Sequence, residues 1–160
     1  ALNYGLDIAM KNANIIGFLD GDLGSSSSET IKLIKPVINN EVDVTIAKFP
    51  PAKKKGGMGF VKRLAKESVL EMTGVELDAT ISGQRIFKRE VLEKFKEIPY
   101  GYGVEVGMTI DILKHGYSIK EVLVNMTHSE TGRDLKGFIH RGKQFYHIKK
   151  IVNKKKKEWR

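Results

Sequence analysis

The apolar run Ile15-Ile16-Gly17-Phe18-Leu19 ends abruptly on Asp20-Gly21-Asp22. A short run without polar alternation reads as a strand covered on both faces, as in the centre of an α/β sheet. Leu2, Leu6, Ile8 and Ala9 precede it at rough helical spacing over residues 1–13. Ser26 with Glu29 three residues on fits a capping box, opening a helix that holds Ile31, Ile34 and Ile38 and that Pro36 kinks or shortens.

The rest of the chain alternates in the same manner. Val42 to Phe49 is β-branched and reads as a strand that Pro50-Pro51 stops. Phe60, Val61, Leu64, Ala65, Ser68 and Met72 mark one face of an amphipathic helix closed by Gly74. A short strand at 85–87, helices over 89–95 and 106–113, a strand over 118–126 and a last helix over 136–152 complete the order. The α-β-α-β-α-β-α-α-β-α sequence predicts an α/β layered sheet with helices on both faces. Residues 1–135 form the body and 136–160 a basic C-terminal helix and tail. A helix ahead of a central strand is an unusual start for such a sheet, and with Ala1 in first place it suggests a processed chain or a fragment that lacks an earlier strand. The sheet edge left open would encourage a homodimer or strand exchange.

Ligands of α/β folds gather at the carboxyl ends of strands, which is where Asp20 and Asp22 fall. Two carboxylates flanking a glycine converge easily, and hard oxygens suit Mg²⁺ or Mn²⁺ with a diphosphate completing the shell. An Asp- and Gly-rich surface turn has the same composition. A phosphatase with a nucleophilic first Asp also uses a strand followed by D-x-D, but Gly24 stands where that pattern continues.

Later segments separate these readings. Ser82-Gly83-Gln84-Arg85-Ile86-Phe87-Lys88-Arg89-Glu90-Val91-Leu92 resembles the acceptor-side segment of glycosyltransferase family 2. Gly101-Tyr102-Gly103-Val104-Glu105-Val106-Gly107 is similar to a segment of glucosyl-3-phosphoglycerate synthases and related polyprenyl-phosphate glycosyltransferases, and Ala1-Leu2-Asn3-Tyr4-Gly5-Leu6 to the helix after a G-K-G turn in family 2. The ordered set resembles a partial GT-A glycosyltransferase without its N-terminal nucleotide-binding part, since neither the G-K-G turn nor the Asn-Glu signature after the first strand is found.

The resemblance implies a metal-dependent transfer of sugar from a nucleotide-diphosphate donor to a hydroxyl or phosphate-bearing acceptor, soluble or lipid-linked. Asp20 would sit at the donor, Asp22 would ligate Mn²⁺ or Mg²⁺ directly, and His128 falls at a metal-binding position. Neutral imidazole slightly favours Mn²⁺. Arg133 would neutralise the departing diphosphate. Gly83, Gln84, Arg85 and Gly103 fall on the acceptor side. Glu105 would serve as base in an inverting enzyme and position a substrate in a retaining one; Asp111 is a weaker candidate within the same helix. A non-catalytic module that keeps the fold is the alternative, with the phosphatase behind it.

The formal net charge of +9 bears on partners. Residues 1–135 hold 18 acidic and 18 basic side chains, so the whole excess lies in 136–160. A cationic tail suits an anionic membrane surface or a phosphorylated substrate; no nucleic-acid motif accompanies it. Cys is absent, which excludes disulfides and thiolate chemistry and fits a cytoplasmic protein, peripheral at the inner membrane face. No apolar stretch has the length of a membrane span.

Overall fold

The computed structural model describes residues 2–50, 59–95, 98, 101–126 and 135–159, with side chains from 142 onward in the last segment. Among these residues four strands form one mixed sheet: β1 (Ile15–Phe18), β2 (Val44–Lys48), β3 (Arg85–Lys88) and β4 (Ile119–Leu123), in the order β1-β3-β2-β4. β3 runs antiparallel to both β1 and β2, whereas β2 and β4 are parallel. Among the described residues six α-helices accompany them: α1 (Leu2–Asn12), α2 (Thr30–Ile38), α3 (Gly59–Thr73), α4 (Arg89–Leu92), α5 (Val104–Lys114) and α6 (Leu135–Glu158). The element order matches the sequence expectation. Boundaries move by a few residues, and the helix expected over 89–95 shrinks to a single turn.

The alternation of side chains along the inner strands places helices on both faces. Val44, Ile46 and Phe87 point to one side, where they pack with Met108 and Ile112 of α5 and with Val91 and Leu92 of α4. Ala47 and Ile86 point to the other, against Leu33 and Val37 of α2. Thr45 is fully buried on that second face and donates its hydroxyl to the carbonyl of Leu33 at 2.8 Å, so its polar atom is satisfied. α3 and α6 pack with α5 through Val61, Ala65, Val69, Val106, Ile110, Ile148 and Val152, a further helical layer. Each fully buried aliphatic side chain of this set contributes about 1.5–3 kcal/mol.

Two sequence expectations need correction. β1 is an edge strand, bonded to β3 alone among the described residues. Ile16 and Phe18 pack on the α5 side and Ile15 on the α2 side, so both faces carry apolar residues while one edge stays open. Coverage of two faces, which the apolar run encodes, says nothing about neighbours along the hydrogen-bonding direction. The strands flanked on both edges are β3 and β2, and Val44, Thr45, Ile46 and Ala47 of β2 are all fully buried.

The capping box is also absent. Residues 24–29 form a 3-10 turn, and α2 starts at Thr30 with no side-chain cap. Ser26 Oγ donates to the carbonyl of Leu23, and the Glu29 carboxylate accepts from the Asn125 backbone N–H at 2.8 Å and from Lys32 at 2.7 Å. A tertiary partner thus takes the carboxylate that the local motif would have used.

Candidate functional site

β1 delivers Asp20 to the end of the sheet, and the turn 20–22 leaves Asp20 and Asp22 both exposed. Asp20 is nevertheless held. Its backbone N–H donates to Gln84 Oε1 at 3.0 Å, and Gln84 Nε2 donates to Asp20 Oδ2 at 2.6 Å. Gln84 immediately precedes β3, the strand paired with β1, so sheet register brings the two ends together. Gly83 lies beside them: a Cβ there would stand 3.9 Å from Asp20 Oδ1. That oxygen has no hydrogen-bond partner among the described residues and stays available to a ligand.

A cleft of ≈ 420 Å³ opens at this point. Asp20, Gly83, Arg85 and Glu105 supply its polar wall, and Leu6 and Ala9 of α1 with Ile16 and Phe18 of β1 supply apolar surface. Glu105 enters from the first turn of α5, whose N-cap is Gly103 at φ 94°. The cleft therefore sets two carboxylates from distant segments around one concavity.

Arg85 is built into the wall rather than offered to solvent, being 1% exposed. Its Nε donates to the Ser82 carbonyl at 2.8 Å, Nη2 to the Thr80 carbonyl at 2.9 Å and Nη1 to Thr109 Oγ1 at 3.0 Å. Burial pulls the guanidinium down to about 10, and the charge of Glu105 acts in the opposite sense, so it remains cationic at neutral pH. The acceptor-side placement expected for Arg85 becomes, in this geometry, a strut that shapes residues 80–84. Thr109 in turn donates to the Glu105 carbonyl at 2.7 Å, which ties the strut to the turn carrying Glu105.

The same loop is anchored at its other end by residues the sequence reading passed over. Asp78 accepts from Lys48 of β2 at 2.5 Å and from Lys66 of α3 at 2.7 Å. Glu121 of β4 accepts from the Ala79 backbone N–H and pairs with Lys48 at 3.4 Å. The hydrogen bond from Lys48, then that from Lys66, hold the Asp78 carboxyl down at about 2. No local pattern marks these residues.

Other expected residues fall elsewhere. Gly103 is buried, and a Cβ on it would meet Ile148 Cα of α6 at 3.0 Å, so its positive φ and lack of a side chain serve the α5–α6 contact. Asp111 accepts from Trp159 Nε1 at 2.9 Å and pairs with Lys155 at 2.7 Å, which makes it an anchor for α6 and not a base. His128 and Arg133 lie outside the described residues. Among the described residues no three His, Asp or Glu side chains gather to hold a metal. Asp20 and Asp22 provide hard carboxylate oxygens, a donor type that fits Mn²⁺ or Mg²⁺ completed by a phosphorylated ligand.

No protein-family model and no curated protein matches the chain. Solved structures do, and they show the GT-A fold. Glucosyl-3-phosphoglycerate synthase from Mycobacterium tuberculosis in complex with phosphoglyceric acid superposes with TM-score 0.69 at 24% identity, over 94% of this chain and 52% of that one. The complex of the same enzyme with Mn²⁺, uridine diphosphate and phosphoglyceric acid gives TM-score 0.70 at 22% identity, over 94% and 51%. That with Mn²⁺ and uridine-diphosphate-glucose gives 0.66 at 24%, over 92% and 51%. The chain thus spans about half the length of the solved structures it matches.

Proposed function

We propose that this chain carries the metal- and acceptor-side portion of a metal-dependent glycosyltransferase. The donor in this reading is a nucleotide diphosphate sugar, and the acceptor is a small phosphorylated compound with a free hydroxyl. The observation that carries it is the fixed placement of Asp20 by Gln84 across one cleft from Glu105. The GT-A fold supports it, as do solved neighbours that hold Mn²⁺ with uridine diphosphate and phosphoglyceric acid.

Asp22 and Asp20, with His128, are the proposed holders of Mn²⁺ or Mg²⁺, and Arg133 the proposed diphosphate contact. A divalent ion held there would supply positive charge opposite the diphosphate, which departs with the electron pair of the anomeric C–O bond. The acceptor oxygen forms the new bond to that carbon. In an inverting reaction Glu105 takes the hydroxyl proton; in a retaining one it orients the acceptor, and the proton passes to the departing diphosphate. Gly83 leaves room beside Asp20, and the Arg85 strut fixes the loop on which Gly83 sits. The apolar side of the cleft, from α1 and β1, excludes water from the reacting atoms.

The test is calorimetric titration of Mn²⁺ into the chain with and without uridine diphosphate. Linkage requires each ligand to strengthen the other, by about 5- to 150-fold. Asp22→Asn abolishes the effect in this reading. Mn²⁺ uptake that ignores both the nucleotide and Asp22→Asn leaves a non-catalytic module that keeps the fold.

A further inference from the structure

α6 divides into two faces with different duties. Its inner face, through Ile148, Val152 and Trp159, packs with α3 and α5. Two of its lysines are committed there: Lys155 to Asp111 and Glu158 at 2.7 Å each, and Lys156 to Glu71 at 2.7 Å. The outer face carries Lys143, Tyr146, Lys149, Lys150, Lys154 and Lys157, all exposed. At 100° per residue these span an arc of about 140° along about 21 Å of helix.

Of those lysines, Lys143, Lys149, Lys150 and Lys157 have no acidic partner among the described residues, and Lys154 meets only Glu158, at 3.5 Å. Glu158 is also the sole acid among residues 136–160. Tyr146, 64% exposed, sits within the cationic stripe, and a recess of ≈ 530 Å³ runs from it to Lys157. We propose that this outer face of α6 docks on an anionic phospholipid bilayer, lying flat with its lysines at the headgroup phosphates and Tyr146 in the interface. The proposal stands apart from the transferase reading and uses none of its residues.

The chemistry favours a bilayer over a nucleic acid. The stripe runs along one side of a single helix, which can meet a plane along its length. Its described cations are all Lys, compact charges on apolar stems that suit scattered headgroups, and none is the forked guanidinium that reads base edges and stacks on them. A phenol, apolar in body and polar at its tip, belongs at a membrane interface. The charge that such a face carries draws it to anionic lipid within a Debye length and is screened by salt.

Sedimentation with vesicles tests it, using phosphatidylcholine alone and phosphatidylcholine with one lipid in three replaced by phosphatidylglycerol. The chain binds the second and not the first, and the binding falls as salt rises. The triple variant Lys149→Glu, Lys150→Glu, Lys157→Glu lowers vesicle affinity at least about a hundredfold, given about fivefold per lysine at the surface. The milder Lys→Gln triple keeps the direction of the effect if charge reversal impairs folding, which a thermal melt reports. Lys156→Gln, on the inner side, leaves binding within about twofold. Tyr146→Ser weakens the vesicle complex while leaving any association with a duplex oligonucleotide unchanged. Equal binding to both vesicles, or binding that the lysine triples do not alter, overturns the proposal. So does tighter binding to the oligonucleotide at equal phosphate and salt.

Discussion

Gln84 grips Asp20 at two points, accepting the backbone N–H through Oε1 at 3.0 Å and donating through Nε2 to Oδ2 at 2.6 Å. Gln84 is 2% exposed, so this amide is a fixed support whose orientation is set by both contacts. In the proposed site Gln84 orients a metal-binding carboxylate, and loss of such a supporting partner typically weakens metal binding. Gln84→Ala is expected to weaken Mn²⁺ binding in the presence of uridine diphosphate about 10- to 100-fold. Calorimetry on the variant, with circular dichroism to confirm its fold, provides the measurement. Unchanged affinity would remove Asp20 from the metal site.

Glu105 separates two stereochemical courses. As a base it is needed once per turnover but not for donor binding, so Glu105→Gln lowers turnover about 100- to 10,000-fold with donor and metal affinity retained. As a residue that only orients the acceptor it raises KM and spares kcat. Release of uridine diphosphate from uridine-diphosphate-glucose, followed with phosphoglycerate as acceptor, distinguishes the two. A rate the variant leaves intact excludes both.

The contact between α5 and α6 depends on missing side chains. A Cβ at Gly107 would lie 2.9 Å from Ile151 Cγ2, and one at Gly103 would lie 3.0 Å from Ile148 Cα on a backbone with φ 94°. Gly107→Ala is expected to cost about 1–3 kcal/mol through overpacking. Ile151→Ala in the same chain should recover part of that loss, a non-additivity typical of residues in contact. No such rescue is available for Gly103→Ala, whose clash is with backbone. Thermal unfolding of the single and double variants measures both effects.

Asp78 links the site loop to acid sensitivity. Its carboxyl is held at about 2, below the ordinary 3.8, by Lys48 and Lys66. A carboxyl lowered on folding stabilises the protein at pH values above its ordinary pKa, and the contribution disappears as pH falls through the folded value. Asp78→Asn is thus less stable than the parent at neutral pH, and the gap closes between about pH 4 and pH 2. The side chain is 49% exposed, so solvent screening keeps the difference under about 1 kcal/mol. Chemical denaturation across that range shows the convergence, and a constant gap would count against it.

The element order was legible because most elements carry their own period: helical stripes at Val61, Ala65 and Ser68, and alternation through Val44 to Ala47. The edge position of β1 was not, because pairing along a sheet depends on segments far away in the chain. Arg85 shows what a finer reading could recover. It lies two residues before Phe87, hence on the same face of a buried strand, a signal against an exposed arginine. Gln84 left no such trace. Its partner stands 64 residues earlier, and nothing periodic joins them. Asp78, Lys48 and Glu121 were passed over for the same reason, since three charges on separate elements look like ordinary surface until the sheet and α3 bring them together.

The parallel pairing of β2 with β4 also governs how the chain can fold. Asp43 and Ser118 meet at the start of this ladder, 75 residues apart, and the register then continues from Val44 with Ile119 to Lys48 with Leu123. α3, α4 and α5 lie between them in sequence, so a long loop must close before that ladder forms. Local helices can form early, and the non-local β2–β4 pairing is expected to be a slow step of folding. On a ribosome, β2 emerges ahead of both its neighbours, and once β3 has followed, its other flank stays bare until β4 has been synthesised.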